Sequence, residues 1–275
     1  ETIARELVPA GGESVKERKN KQENPLKINI LGATPLDFSI NSTLDSIKEF
    51  LSRHFEIIST FAMGSSIEDI QRAGEADINL VISSVGVLAA KALEETFHTP
   101  YVIGTPIIGF ENVLAEKLIE SAWTKKSQTA YFSVLQKAHK KDTANFTTMQ
   151  NAEAVSNLKK IRSLTEIIEK NKVSGNVYII GESVISQSLK AALALRYGIE
   201  ATVICPLETE PEYTEKDVLL LSSEEDIKKA IMDADTVIAD PIYKTICSEK
   251  VNFVAMPHEA YSGRIYRKEV CDFIH

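Results

Sequence analysis

Residues 66–83 read SIEDIQRAGEADINLVIS and residues 224–240 read EEDIKKAIMDADTVIAD. Each opens with an acidic Glu-Asp-Ile triplet, runs through a helical pattern to an Ala-Asp pair (Ala76-Asp77, Ala234-Asp235), and then becomes a short run rich in branched apolar residues. Such a run bounded by turn signals reads as a buried strand. The likeness extends outward. INILG (28–32) matches VYIIG (177–181) upstream, and TPYVIGTP (99–106) matches VNFVAMPH (251–258) downstream. The chain therefore carries an internal duplication of a βα lobe, with a period far too long for a solenoid.

Between these anchors strands alternate with helices over short loops, which implies parallel sheets with crossover connections. In the first half the pattern predicts strands at 26–31, 56–61, 77–82 and 101–103. Helical patterns lie around Leu44–Leu51, from Ser66 to about Gly74, over Val87–Phe97, and from Phe110 onward. Ser66 and Asp69 have the spacing of a capping box. Lys125–Gln150 is weakly punctuated, and Asn151–Asn171 has the apolar spacing of a long helix closed by Gly175. The second half predicts strands at 176–181, 200–205, 219–222 (isolated), 236–240 and 252–256, with helices at 185–197, 224–233 and about 243–249. The predicted organisation is a polar tail over 1–25, a Rossmann-like domain over 26–130, a helical connection over 131–174 and a second Rossmann-like domain over 175–275. The fold class is α/β: two lobes with parallel sheets joined by a long helix.

A chain of 275 residues has room for two such cores. Its net charge of −8 argues against nucleic acid or an anionic membrane surface as a partner. No apolar run approaches the length of a membrane span. Cys205, Cys247 and Cys271 are sparse, odd in number and form no CxxC pair, which fits a reducing compartment, and the cytoplasm is the expected location. The plainer reading of each cysteine is a small buried hydrophobe. No apolar secretory signal is visible in Glu1–Leu7.

In open parallel sheets, ligands meet the residues just beyond the strand ends, so a cleft is expected where the two lobes face each other. The second lobe brings Gly181, Glu182, Asp240 and His258 there, and the first brings Gly32, Ser83 and Gly104. An imidazole at a strand end could ligate a metal or relay a proton. The carboxylates could serve as acid and base, or cap the helices that follow them. The turns at Gly64–Ser66 and Gly181–Ser183 lack the GxGxxG pattern and a phosphate-loop lysine, and glycine after a strand is commonly just a tight turn. The residues by themselves predict a binding cleft rather than a reaction.

The stretch from KINILGATPLDFS (27–39) through SIEDIQRAGEADINLVIS to TPYVIGTPIIGFENVLAEKL (99–118) resembles the middle domain of nitrogenase component 1-type oxidoreductases, a group that includes protochlorophyllide reductases. The shared habit is an Asn-bearing strand ending in Gly, a Gly-Ser turn, an Ala-x-x-Asn-Leu strand and a Pro-Tyr strand. The part from NVYIIGES (176–183) through MPHEAYSGR (256–264) resembles the last domain. The resemblance implies a subunit of a two-component reductase. Its partners would be an ATP-dependent iron–sulfur reductase component and a homologous or identical component 1 subunit. It implies an iron–sulfur cluster in the intact protein, held by cysteines of an N-terminal domain that the resembling region lacks. No cofactor or metal is expected in this part by itself. Where the alpha-type subunit has a cofactor-holding cysteine, this chain has Ser83, and serine is a poor substitute for a thiolate on iron. His258 lies one position from the alpha-type histidine. The candidate cofactor-binding positions are thus Ser83, Gly181, Glu182 and His258. Two other readings compete: a two-lobed receptor for a metal chelate or corrinoid, and a sugar-nucleotide enzyme with twin Rossmann lobes.

Overall fold

The structure, a computed structural model, describes residues 25–38, 43–132, 134 and 163–274. It contains two separate five-stranded sheets, every pairing parallel. The first has the order β2-β1-β3-β4-β5, with β1 Leu26–Leu31, β2 Phe55–Thr60, β3 Ile78–Val81, β4 Tyr101–Ile103 and β5 Gln128–Thr129. The second has the order β10-β9-β6-β7-β8, with β6 Val177–Ile180, β7 Ala201–Cys205, β8 Leu219–Leu220, β9 Thr236–Ala239 and β10 Asn252–Ala255. Around them lie α1 (Pro35–Phe38), α2 (Thr43–Ser52), α3 (Ile67–Gln71), α4 (Val87–Phe97), α5 (Glu111–Thr124), α6 (Leu164–Lys170), α7 (Ser183–Tyr197), α8 (Glu224–Ala230) and α9 (Glu259–Ser262).

The duplication holds down to individual hydrogen bonds. β1-β3-β4 and β6-β9-β10 are neighbours in the same order. In the first lobe the Lys27 amide donates to Asp77 Oδ2 at 2.8 Å, and the Asp77 amide returns a bond to Lys27 O. In the second, the Asn176 amide donates to Asp235 Oδ2 at 2.8 Å and the Asp235 amide returns one to Asn176 O. The Ala-Asp pair of the repeat is thus a clasp that starts the third strand of the motif in register with its first. Ser66 caps α3 in a full capping box with Asp69, and Ser223 caps α8 by accepting from the Asp226 amide. Both caps supply an acceptor to a helix N-terminus that has no intrahelical partner. β3 and β9 are buried at every position, as strands covered on both faces must be.

Ser59, Asn29 and Asn79 sit on adjacent strands in matching register and form a polar ladder inside the first sheet. Ser59 Oγ donates to Asn29 Oδ1 (2.7 Å), Asn29 Nδ2 to Asn79 Oδ1 (2.8 Å), and Asn79 Nδ2 to Thr99 O (3.3 Å). A fully buried amide tolerates this position because its partners are supplied.

The lobes meet through α7. Every residue from Ser183 to Leu193 is buried, and one continuous apolar cluster runs from β1 and β3 through Val184, Ile185, Leu189 and Leu193 to β6 and β7. Burying a helix on all sides calls for partners for its polar side chains, and within Ser183–Leu193 all but Ser186 Oγ have them. Ser188 Oγ accepts from the Thr105 amide across the lobes (2.9 Å), Lys190 reaches Asp217, and Gln187 bonds Tyr131 and the Glu215 amide. The C-terminal segment also returns to the first lobe, where the Ile108 amide donates to Phe273 O and Phe273 packs edge-on against Phe38.

Predicted and observed elements differ in several places; the helix expected at about 243–249, for one, is a 3-10 helix over Pro241–Ile246. The run at Leu219 is not isolated; Leu219 and Leu220 pair with Ile204 and Cys205 as an edge strand. The weakly punctuated stretch after Lys125 holds β5, whose two polar residues carry no periodicity and which is placed partly by Gln128 bonding Ser121. The predicted helix over 151–171 starts only at Leu164 as α6, because Ser163 is extended and bridges to Asp272, and it ends at Lys170, one residue from the expected end; residues 151–162 lie outside the described residues.

Candidate functional site

The four predicted positions come together where the sheets' carboxyl ends face each other. They form a filled seam rather than an open cleft: Ser83, Gly181, Glu182 and His258 are all buried. The first-lobe side is built by a close backbone approach. Gly32 adopts φ +85°, and a Cβ there would stand 2.8 Å from Ser83 O; a Cβ on Gly86 would stand 2.7 Å from Gly32 N. Two glycines let the end of β1 touch the turn after β3, which presents Ser83 and Ser84 to the second lobe.

Ser83 Oγ lies 2.8 Å from Gly32 O and 2.9 Å from Asp37 Oδ2. Thr34 Oγ1 donates to the same carboxylate oxygen at 2.8 Å. The next residue faces the other lobe: the Ser84 amide donates to Glu182 Oε1 at 2.9 Å. Glu182 Oε2 accepts from the Ile185 amide at 2.9 Å, so one carboxylate caps α7 and binds the first lobe at once. The helix end at Gly181–Ser183 that could have received an external anion is filled by the chain's own carboxylate. Gly181 donates its amide to Ile204 O. Asp240 takes the capping role too, accepting from the amides of Ile242 and His258 and from Ser262 Oγ.

His258 Nδ1 accepts from the Ala260 amide at 3.3 Å, which leaves the proton of the neutral ring on Nε2. Nε2 is 3.4 Å from Asp37 Oδ1 but off the line of a hydrogen bond, and it has no other partner. Burial, and then the neighbouring Asp37 charge, raise the Glu182 carboxyl above its ordinary range against the pull of its two amide donors. Tyr131 and Tyr261 are raised as well, chiefly by burial, with Glu182 among the charges acting on each.

The described side chains of the seam do not fit a metal centre. Ser83's hydroxyl bonds within the seam, and His258 would have to give up its Nε2 proton to coordinate through that atom. Burial pushes the Cys205 thiol up to about 11, and it contacts Leu207 O; the Cys247 thiol contacts Tyr243 O. Among the described residues no group of three or more His, Cys, Asp or Glu side chains is arranged to hold a metal ion. Asp37, the acid at the centre of the seam, escapes the strand-end reading because it lies five residues past Gly32. Its available signal is the Thr34-x-x-Asp37 spacing of a capping pair, and the Asp37 amide does bond Thr34 Oγ1.

Fold and seam together define a two-lobed parallel α/β protein whose strand ends meet on a buried acid–imidazole cluster. The chain belongs to the nitrogenase component 1 type oxidoreductase family, whose model matches residues 1–243. Similar curated proteins are light-independent protochlorophyllide reductase B subunits. The subunit of Chlorobium luteolum is 35% identical over 82 residues, which cover 29% of this chain and 16% of that protein. That of Methylobacterium sp. is 38% identical over 81 residues (29% and 16%), and that of Rhodopseudomonas palustris 35% over 107 residues (38% and 19%). The matched part thus spans less than a fifth of these relatives. Among solved structures, nitrogenase Cp1 at pH 5 aligns with 80% of this chain and 45% of its own at 14% identity and a TM-score of 0.38. The Streptococcus pneumoniae AdcAII protein aligns with 86% and 89% at 11% identity and 0.34. Likenesses this loose bear on no function. No helix among the described residues is long and apolar enough to cross a membrane.

Proposed function

We propose that this chain supplies the two C-terminal α/β lobes of a component 1-like reductase subunit. In the assembled enzyme it takes part in ATP-driven, low-potential electron transfer to a metal cofactor or a tetrapyrrole. The carrying observation is the family match over residues 1–243, seconded by relatives that are protochlorophyllide reductase subunits. The first lobe is taken as 26–130, a helical connection as 131–174 and the second lobe as 175–275.

In this reading Ser83, Gly181, Glu182 and His258 line the wall nearest the cofactor or substrate without ligating it. An iron–sulfur cluster would be held by residues other than Cys205 and Cys247, whose thiols burial shifts toward the protonated form that binds metal poorly. The partners are an ATP-dependent iron–sulfur reductase component and a homologous or identical component 1 subunit, in the cytoplasm, with no part for nucleic acid or membrane. The chain by itself is redox-inactive.

The test is anaerobic expression of the chain alone and together with both proposed partners, followed by iron analysis and EPR. The chain alone should carry no stoichiometric iron and give no signal, whereas the assembly should contain iron that is reduced in an ATP-dependent manner. Stoichiometric iron on the isolated chain would overturn the dependence on partners. An iron-free assembly would overturn the redox role.

A further inference from the structure

The seam places two carboxylates on either side of one dipeptide. Ser83 Oγ lies within hydrogen-bond distance of Asp37, and the amide of Ser84 binds Glu182. Asp37 is 7% exposed and Glu182 2% exposed. Neither has a lysine or arginine in an ion pair among the described residues; the His258 ring stands beside Asp37, with Nε2 3.4 Å from Oδ1. Asp240, also buried, adjoins the cluster by accepting from the His258 amide and Ser262 Oγ, and the other titratable groups facing the pair are Cys205, Tyr131 and Tyr261, which burial keeps neutral. Two acids and one imidazole leave the cluster with a net negative charge when all are ionised, in a place where water cannot screen it.

We propose that the two lobes are latched by one proton held on the Glu182 carboxyl where it bridges the lobes, so that closing the seam takes a proton from solvent and opening it returns one. The upward displacement of the Glu182 carboxyl by burial and by Asp37 has the matching sign. A group that binds its proton more tightly when closed stabilises closure fully below its ordinary value of 4.5, and that stabilisation is lost as pH rises through the raised value. Release removes the Glu182 bridge between the start of α7 and the turn after β3. Acidity would thereby control access to the strand ends. The latch concerns the same seam as the proposed reductase role but stands on lobe geometry alone. Its test reads amide exchange and carboxyl protonation, so either idea can fail without the other.

The experiment is hydrogen–deuterium exchange of the full 275-residue chain between pH 5 and 8, corrected for intrinsic rates. Peptides containing Ser84 and Ile185, the two amides bound to Glu182, should lose protection by about tenfold per pH unit within the window, the slope of a one-proton equilibrium. Glu182→Gln should flatten that slope. Infrared spectra of the wild-type chain should show a protonated-carboxyl carbonyl band that titrates above 4.5 and is missing from the variant. A wild-type slope of zero, or an equal slope in Glu182→Gln, would overturn the latch. Should the variant fail to fold, the absence of a titrating carboxyl band in the wild-type chain would overturn it instead.

Discussion

At the scale of single residues, the seam depends on one carboxylate with two backbone donors. Replacing Glu182 with alanine strands the amides of Ser84 and Ile185 in a buried place, at a cost of about 1–3 kcal/mol for each. Thermal or urea unfolding near neutral pH should therefore show Glu182→Ala losing roughly 2–6 kcal/mol. Glu182→Gln keeps one acceptor and discards a buried charge, so it should lose less, and its deficit should shrink as pH rises above 4.5. Equal losses for the two variants would mean that the charge carries no penalty. Asn29 offers a second test. It joins Ser59 to Asn79 and also donates to Ala73 O, so Asn29→Leu should leave Ser59 Oγ, Asn79 Oδ1 and the Ala73 carbonyl without this partner and cost about 2–4 kcal/mol, whereas Ser59→Ala, which removes one end of the ladder, should cost less. A milder loss for Asn29→Leu than for Ser59→Ala would contradict the ladder.

At the scale of elements, α7 carries more than its sequence announces. SVISQSLKAALALRY has the serines, glutamine and lysine of a surface helix, yet its first eleven residues are buried between the lobes. Leu189 is 1% exposed, and Leu189→Ala should cost about 2–5 kcal/mol by equilibrium denaturation, the range for a buried leucine with little room to relax. The exposed Leu195 of the same helix should cost under about 1 kcal/mol. Similar losses at both sites would mean that the helix is not enclosed. The clasp aspartates belong at this scale too. Asp77 and Asp235 make the same pair of bonds in their lobes, so alanine at either should weaken the chain by similar amounts, about 1–2 kcal/mol. The repeat was readable because those bonds need an acid at a fixed point before the strand. Strands β1, β3 and β9 and helix α4 were readable for a related reason: apolar runs bounded by Gly, Pro or Asp leave few alternatives. β5 was not, because a two-residue polar edge strand makes too few contacts to impose a pattern; β8 was readable as a strand, but its pairing with β7 was not.

At the scale of the whole molecule, the apolar cluster continues from the first sheet through α7 to the second, so the lobes share a core. Calorimetry should show a single cooperative transition with matching calorimetric and van't Hoff enthalpies. Two resolved transitions would show that the lobes are energetically separate in spite of the shared helix. The sequence by itself determined the α/β class, the duplicated motif, the kinship and the strand ends as the place where Ser83, Gly181, Glu182 and His258 assemble. Those follow from local chemistry: periodicity, turn residues and short spacings that any chain of this order must obey. Only the tertiary structure decided that the strand ends close into a seam, that α7 rather than a surface helix joins the lobes there, and that Asp37 stands at the seam's centre. These depend on residues tens to hundreds of positions apart meeting in space, and no local pattern encodes which carboxylate will face which amide.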